Sequence, residues 1–309
     1  MGYDRIFGVS LLLLPQGIGW STAITNPFTV QIAQQIAELP IGSGIGLRII
    51  MFLICFSIAF SFLMLYGKRV RKEPSKSLMP DDEFIVNHDF DPIGMKLTRR
   101  HILIALTALV LFALILYAVQ TMGWGLIEMT GGFFTVGLIT IIISGMSGDE
   151  AMEAFIDGLK IMIVPALIVG FARCIQVVMH DSQIVDTVLF HASTMLQQMP
   201  KMLAVEGMYF FQTLLNFFIP SASGQAMVSM PLMVPLSDLL GISRQTAVLA
   251  FTSGDGFSNM IIPTNGVLMA ILGIAVVPFE KWFKFAFPLF IILSIVAAIF
   301  LGIAIFINY

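Results

Sequence analysis

The sequence predicts an all-α polytopic membrane protein, and three observations carry that expectation. Of its 309 residues 58% are apolar, the mean hydropathy is +0.94, and the charges are scarce and unevenly spread. Lys and Arg number 16 and Asp and Glu 19, and 14 of these charges crowd into residues 67–100. One polar loop therefore separates two apolar blocks. A net charge of −3 without a basic tract outside that loop lacks the clustered cations that displace counterions from nucleic acid, so nucleic acid is excluded as the main partner. Cys55 and Cys174 lie in apolar runs, and His88, His101, His180 and His191 share no ligand spacing. Neither a disulfide framework nor a metal centre is indicated.

The elements follow in chain order. Apolar sequence runs from Ile6 past Val30 without the basic start and short core of a signal peptide, so no cleaved leader is expected. Three runs, 49–66, 102–119 and 285–307, read as ordinary membrane spans of about 18 to 23 residues. Two more, 124–144 with Glu128 near its start and 161–179 with Arg173 near its middle, read as less clean spans. Between them Ser147 and Glu150 form an S-x-x-E capping box that opens a helix over 149–160. The same stretch spells the G-x-S-G of intramembrane serine proteases at Gly145–Gly148, but capping is the commoner use. Thr252–Asp255 is one glycine short of an intramembrane aspartyl protease motif and has no second aspartate in a clean span. An intramembrane protease is thus a weak alternative, and no enzyme is expected.

Three apolar stretches are broken at their centres by residues that a lipid-facing helix avoids. The first break is Gly17–Thr29, with Gly17, Gly19 and Pro27, in a run over 8–37. The second is Ser253–Asn259, followed by Pro263–Gly266, in a run over 246–277. The third is Pro220–Gln225, between arms of about 15 residues, or roughly 24 Å of helix, short of a ~30 Å hydrocarbon core. A re-entrant hairpin over 203–240 is expected there. At an offset of 237 the first two breaks resemble each other: Gly17, Gly19, Trp20 and Ser21 fall on Gly254, Gly256, Phe257 and Ser258. An odd number of crossings between the copies makes the repeat inverted, the signature of secondary transporters. With the 67–100 loop in the cytoplasm, 12 of 16 basic residues lie inside and Arg48, Lys201 and Arg244 outside, a bias that supports this threading.

Unwound segments expose carbonyl oxygens and half-helix ends, and small hydroxyl and amide side chains complete a site. Ser21, Thr22, Thr25, Asn26 and Thr29 supply these in the first break, and Ser253, Ser258, Asn259, Thr264 and Asn265 in the second. A single Gly/Pro kink would merely bend a helix; two related breaks and a polar hairpin tip ask for more. Asp255, a carboxylate between glycines at membrane depth, is the sharpest candidate for holding a cation or a cationic substrate. Its competing reading is a cap for the N–H groups of Phe257 or Ser258. Arg173 is a candidate partner for Asp181, Asp186 or substrate, with snorkelling as the alternative.

The strings Phe218–Ala226, Gly254–Asn259 with Ile262-Pro263-Thr264, and Thr25–Val30 resemble the anaerobic four-carbon dicarboxylate carrier family, in its YfcC-like branch. The resemblance implies an inverted-repeat, elevator-type secondary transporter, a homodimer in the bacterial cytoplasmic membrane with its C-terminus outside. It further implies an ordering of the chain: the end of a first repeat at 1–66, the cytoplasmic loop 67–100, and a second repeat at 101–309. The scaffold spans and hairpin that open the family's first repeat have no counterpart in this sequence. The resemblance places substrate at Ser221, Ser223, Gly224, Gln225, Asn26, Pro27, Thr29, Asp255, Asn259 and Thr264. It places a coupling cation, sodium or proton, at Ser21, Thr25, Asn26, Ser253, Asp255, Ser258 and Asn265. No cofactor or further metal is implied. The implied substrate is a small organic acid or amino acid, with basic amino acid exchange as the alternative within the fold.

Overall fold

The computed structural model describes residues 3–79, 98–122, 124, 126–182 and 184–309. Loop residues 80–97, and the side chains of Arg173 and Asp186, lie outside the described part. The described residues form helices throughout: α1 (Arg5–Ser21), α2 (Val30–Ile36), α3 (Ile45–Lys72), α4 (Arg99–Met122), α5 (Leu126–Ser144), α6 (Gly148–Asp181), α7 (Ile184–Gln197), α8 (Lys201–Phe218), α9 (Ala222–Leu240), α10 (Arg244–Ser258), α11 (Gly266–Ile274) and α12 (Phe279–Phe306). Among them α3, α4, α5 and α12 contain stretches long and apolar enough to cross a membrane. Two compact units are distinguished, Met1–Asp82 with Met162–Tyr309, and Glu83–Ile161.

In the smaller unit α4 and α5 pack through small-residue contact, a device suited to a lipid environment. Gly132 lies where an added Cβ would sit 3.1 Å from the Ile115 side chain, and the rings of Phe112 and Phe133 are 6.2 Å apart. The capping box forms as expected: the Ser147 N–H donates to Glu150 Oε2 at 2.8 Å, and the Ser147 Oγ accepts from the Glu150 N–H. The Ser147 N–H and the Ser147 hydroxyl, which both donate to Glu150 Oε2, hold the Glu150 carboxyl below its ordinary range. The helix it opens does not stop at residue 160 but continues to Asp181, although 161–179 contains Pro165 and Gly170.

The larger unit inverts the layering of a water-soluble protein. On α3 the buried residues Met51, Cys55, Ala59 and Leu63 form a stripe with four-residue spacing, while Ile50, Leu53, Phe60 and Leu65 are each more than half exposed. A stripe that narrow flanked by wide apolar faces is stable only where those faces meet lipid. By contrast α10, with Thr246, Thr252, Ser253, Asp255 and Ser258, is buried along its whole length from Gln245 to Ser258. It lies against α1, α8, α9 and α12. The most polar helix is thus the most interior one.

The repeat is visible in backbone detail. Helices α1, α2 and α3 are matched by α10, α11 and α12, and both long members have 28 residues. Ser21 Oγ donates to the Gly17 carbonyl and Ser258 Oγ to the Gly254 carbonyl, at 2.6 and 2.7 Å. Each short helix ends in the same left-handed residue, Glu38 at φ 55° and Val276 at φ 53°. In each, the next amide reaches back into the last turn, Leu39 to the Gln34 carbonyl and Val277 to that of Leu272. The two copies also meet. A Cβ at Gly256 would lie 2.3 Å from the Ser21 N, and one at Gly17 would lie 2.3 Å from Met260 Cγ. Gly17 thus meets Met260, just past the end of α10, while Ser21 meets Gly256 within it, so rising numbers pair with falling ones and the two segments pass antiparallel, as an inverted repeat requires.

Both breaks lie later than the glycines suggest. Helix α1 runs through Gly17 and Gly19 to Ser21, and α10 through Gly254 and Gly256 to Ser258. Helical glycine costs only about 1 kcal/mol relative to alanine, and here the missing Cβ lets backbones touch. Chain without helix spans 22–29 and 259–265. The hairpin tip is likewise shorter than expected, 219–221, because Ser221 caps α9 by accepting from the Gly224 N–H. Helix α3 extends to Lys72, so the helix overruns the expected start of the polar loop at 67.

Candidate functional site

The second break is built from three neighbours. Asn265 caps α11 by accepting from the Val267 and Leu268 N–H groups at 2.9 and 3.1 Å, and its amide donates to Asn259 Oδ1 at 2.7 Å. The Thr264 hydroxyl donates to the Phe217 carbonyl at the end of α8, and Trp282 Nε1 to the Met260 carbonyl, at 2.8 and 2.7 Å. The interrupted backbone is therefore tied to the hairpin on one side and to α12 on the other, which meets the requirement that irregular chain at membrane depth find partners in protein. The first break is tied mainly to itself: Asn26 Oδ1 accepts from the Phe28 N–H at 2.8 Å, and Gln31 Nε2 donates to the Thr25 carbonyl at 3.1 Å.

Asn216 on α8 is the junction of hairpin and second break. Its Nδ2 lies 2.8 Å from the Asp255 carbonyl, 2.7 Å from Ser258 Oγ and 3.1 Å from Asn259 Oδ1. One turn earlier Gln212 Oε1 accepts from Gln225 Nε2 at 2.7 Å, while its Nε2 donates to Ser229 Oγ at 3.0 Å. These polar groups lock the two hairpin arms together.

Several expected site residues, and Asn216 beside them, retain unused hydrogen-bonding capacity although buried. Both carboxylate oxygens of Asp255, and Ser253 Oγ, Thr29 Oγ1, Gln225 Oε1 and Asn216 Oδ1, have no hydrogen-bond partner. The Asn259 amide is near enough to Asp255 to interact with its charge. The capping alternative for Asp255 does not hold, since it sits inside α10 with both oxygens free. A buried carboxylate left this way is costly unless a cation or donor joins it.

The expected residues divide. Asp255, Ser258, Asn259, Thr264 and Asn265 gather at the second break and the end of α8: Asn216 reaches the Asp255 carbonyl, Ser258 and Asn259, Asn265 bonds Asn259, and Thr264 bonds the Phe217 carbonyl. Ser221, Ser223 and Gly224 stand part-exposed at the hairpin tip, whereas Gln225 turns inward to Gln212. Asn26 and Pro27 are part-exposed in the first break, and Thr25 is exposed. Ser21, Ser253 and Ser258 are helical rather than part of unwound chain.

Sequence reasoning missed Gln212, Asn216 and Arg48. The first two are four apart on α8, a spacing that marks one helix face and was available to be read. Arg48, expected outside, is fully buried: its Nη1 donates to the Ala23 carbonyl and Thr252 Oγ1 at 3.3 and 3.1 Å. It spans from α3 to the first break and to α10, so the interior supplies its acceptors.

Broken helices in antiparallel repeats, a polar-cored hairpin and lipid-facing spans together define a polytopic membrane protein with the architecture on which secondary transporters are built. The chain belongs to the family described as DcuC, C4-dicarboxylate anaerobic carrier, which it matches over residues 1–306. It is 36% identical to a protein of Escherichia coli (strain K12), YfcC, which carries a provisional name as a basic amino acid antiporter. That alignment covers 97% of this chain and 62% of the relative. It is 31% identical to an uncharacterized protein of Haemophilus influenzae (strain ATCC 51907 / DSM 11121 / KW20 / Rd), over 97% of this chain and 60% of that protein. The chain thus spans about three-fifths of the length of these relatives. No solved structure matches it.

Proposed function

We infer that the chain forms the core of a secondary carrier for a small carboxylate-bearing solute, working by elevator-type alternating access and coupled to sodium, to protons or to counter-exchange. The observation that carries this reading is Asp255, fully buried on α10 with both carboxylate oxygens unpartnered, in an interior where the Ser253 hydroxyl and the Asn216 amide oxygen are also buried without partners. An acceptor-rich interior of that kind suits a cation or a cationic group of substrate. It favours basic amino acids within the wider class of carboxylate-bearing solutes, in keeping with the name of the Escherichia coli relative.

In this reading the substrate lies near the part-exposed tip residues Ser221, Ser223 and Gly224, with Asn26, Pro27 and Thr29 opposite. Asp255, Asn259 and Thr264 complete the site from the second break. Ser21, Thr25, Ser253, Ser258 and Asn265 belong to the neighbouring cation sites. The protein is a homodimer in the cytoplasmic membrane with residues 67–100 inside and the C-terminus outside. The concentration of basic residues in that loop supports the orientation. The test is exchange of labelled solute by proteoliposomes loaded with arginine, ornithine, succinate or acetate. Solute uptake by the wild type and its loss in Asp255→Asn is the expected result; uptake undiminished in Asp255→Asn refutes the assignment of the site.

A further inference from the structure

Arg48 makes two hydrogen bonds through Nη1, but its Nε and Nη2 are buried with no hydrogen-bond partner. The Tyr309 hydroxyl lies beside the guanidinium and is itself committed to the Gly44 carbonyl. No carboxylate within 4 Å of Arg48 is found among the described residues. A fully buried guanidinium with an idle edge is unusual, because Nε and Nη2 form the fork that binds a carboxylate through two parallel bonds. Burial without an anion is strongly unfavourable. The group touched by Arg48, Thr252, stands three residues before Asp255 on α10, a rise of about 4.5 Å. One helix therefore has a buried, unpaired positive group against it and a buried, unpaired negative group on it, one turn apart.

Resting on the carrier reading, we propose that Arg48 is the carboxylate-recognising residue of a dipolar site. Arg48 takes the α-carboxylate of an amino acid through Nε and Nη2, and Asp255 takes its cationic end. Binding would neutralise both buried charges at once, whereas a dicarboxylate would satisfy Arg48 and repel Asp255, and a diamine would do the reverse. The site thereby selects zwitterionic solutes with an extra positive group over either simpler class. Arg48 at the head of α3, the break after α1, and α10 all contribute, so the site draws on both repeats.

The probe is a matched pair differing only in the carboxylate: L-arginine and agmatine, with succinate as the dianionic control. Ligand-dependent thermal stabilisation of the full purified chain is the readout, since a ligand that binds only the folded state raises its stability. Wild type is expected to be stabilised by arginine at concentrations at least tenfold below those needed for agmatine, and to ignore succinate. Arg48→Lys keeps the charge but loses the fork, and is expected to shift the arginine requirement toward that of agmatine while leaving agmatine itself unchanged. Arg48→Gln, checked for folding by size-exclusion elution and helical circular dichroism, should abolish the preference for arginine and, by removing the charge that repels a dication, lower the agmatine requirement. Equal potency of arginine and agmatine on the wild type, or an unchanged arginine response in Arg48→Lys, overturns the proposal while leaving transport by Asp255 standing. Absence of stabilisation by any basic amino acid overturns both this site and the substrate class inferred above.

Discussion

Replacing Gly256 by alanine tests the contact between the two repeats. An added Cβ would lie 2.3 Å from the Ser21 N, 2.4 Å from its Cα and 2.4 Å from its Oγ. Two of those atoms are backbone inside α1 and cannot swing aside, so the helices must separate by about 1 Å to reach ordinary contact. Overpacking of that kind costs about 1–3 kcal/mol, against which the better helix propensity of alanine returns about 1 kcal/mol. Separation would also disturb the neighbouring Asn216 bonds to the Asp255 carbonyl and Ser258 Oγ, so the net effect is expected to be a loss of about 1–3 kcal/mol. The assay is thermal unfolding of the purified protein, with Gly19→Ala as control, because Gly19 is helical and has nothing within 4 Å of its Cβ position. Gly19→Ala should hold or raise stability by up to about 1 kcal/mol. Gly17→Ala should fall between them, since its obstacle is the Met260 side chain, 2.3 Å away at Cγ. If Gly256→Ala unfolds at the same temperature as Gly19→Ala, the two repeats do not touch through backbone there and the antiparallel crossing is wrong.

Other outcomes follow from single bonds. Asn216→Ala removes the amide that joins α8 to the second break and should destabilise by about 1–3 kcal/mol, read as a lower unfolding temperature. Asn265→Ala removes the α11 cap and should cost about 1 kcal/mol, with hydrogen exchange rising first at the Val267 and Leu268 amides. Glu150, held by Ser147 below its ordinary pKa, stabilises the start of α6 above the unfolded value. That stabilisation is expected to be lost as pH falls through the lowered native pKa, so exchange at the Ser147 amide should rise in acid, and Glu150→Gln should remove the pH dependence.

The helices were legible where pattern and environment coincide. The spans around 49–66, 102–119 and 285–307 have no competing signal, and α3, α4 and α12 cover them. The repeat was legible because small residues recur at one offset, but its glycines were misread as helix stops. Glycine marks either a break or a close approach, and sequence does not say which; contact between Gly256 and Ser21, some 235 residues apart in the chain, decides it. Pro27 and Pro263 do fall in non-helical chain, but Pro15, Pro231, Pro235 and Pro288 lie within helices, so proline alone does not mark a break either. At the site, Asp255 was readable from its cost in a membrane. The inward turn of Gln225 was not, because it depends on Gln212 across the hairpin. The threading by basic residues puts Arg48 outside, whereas acceptors supplied by Ala23 and Thr252 draw it into the interior.

The burial of α10 governs how the protein can be assembled. With 15 residues that include Asp255, Thr252, Ser253 and Ser258, α10 is too short and too polar to partition into lipid on its own, where one central aspartate alone costs about 2.5–3.5 kcal/mol. It must enter against surfaces already in place, and one of them, α1, was synthesised more than 220 residues earlier. Insertion of the second half therefore depends on the first: α10 gains a polar-tolerant environment only where its inverted copy and the hairpin already stand.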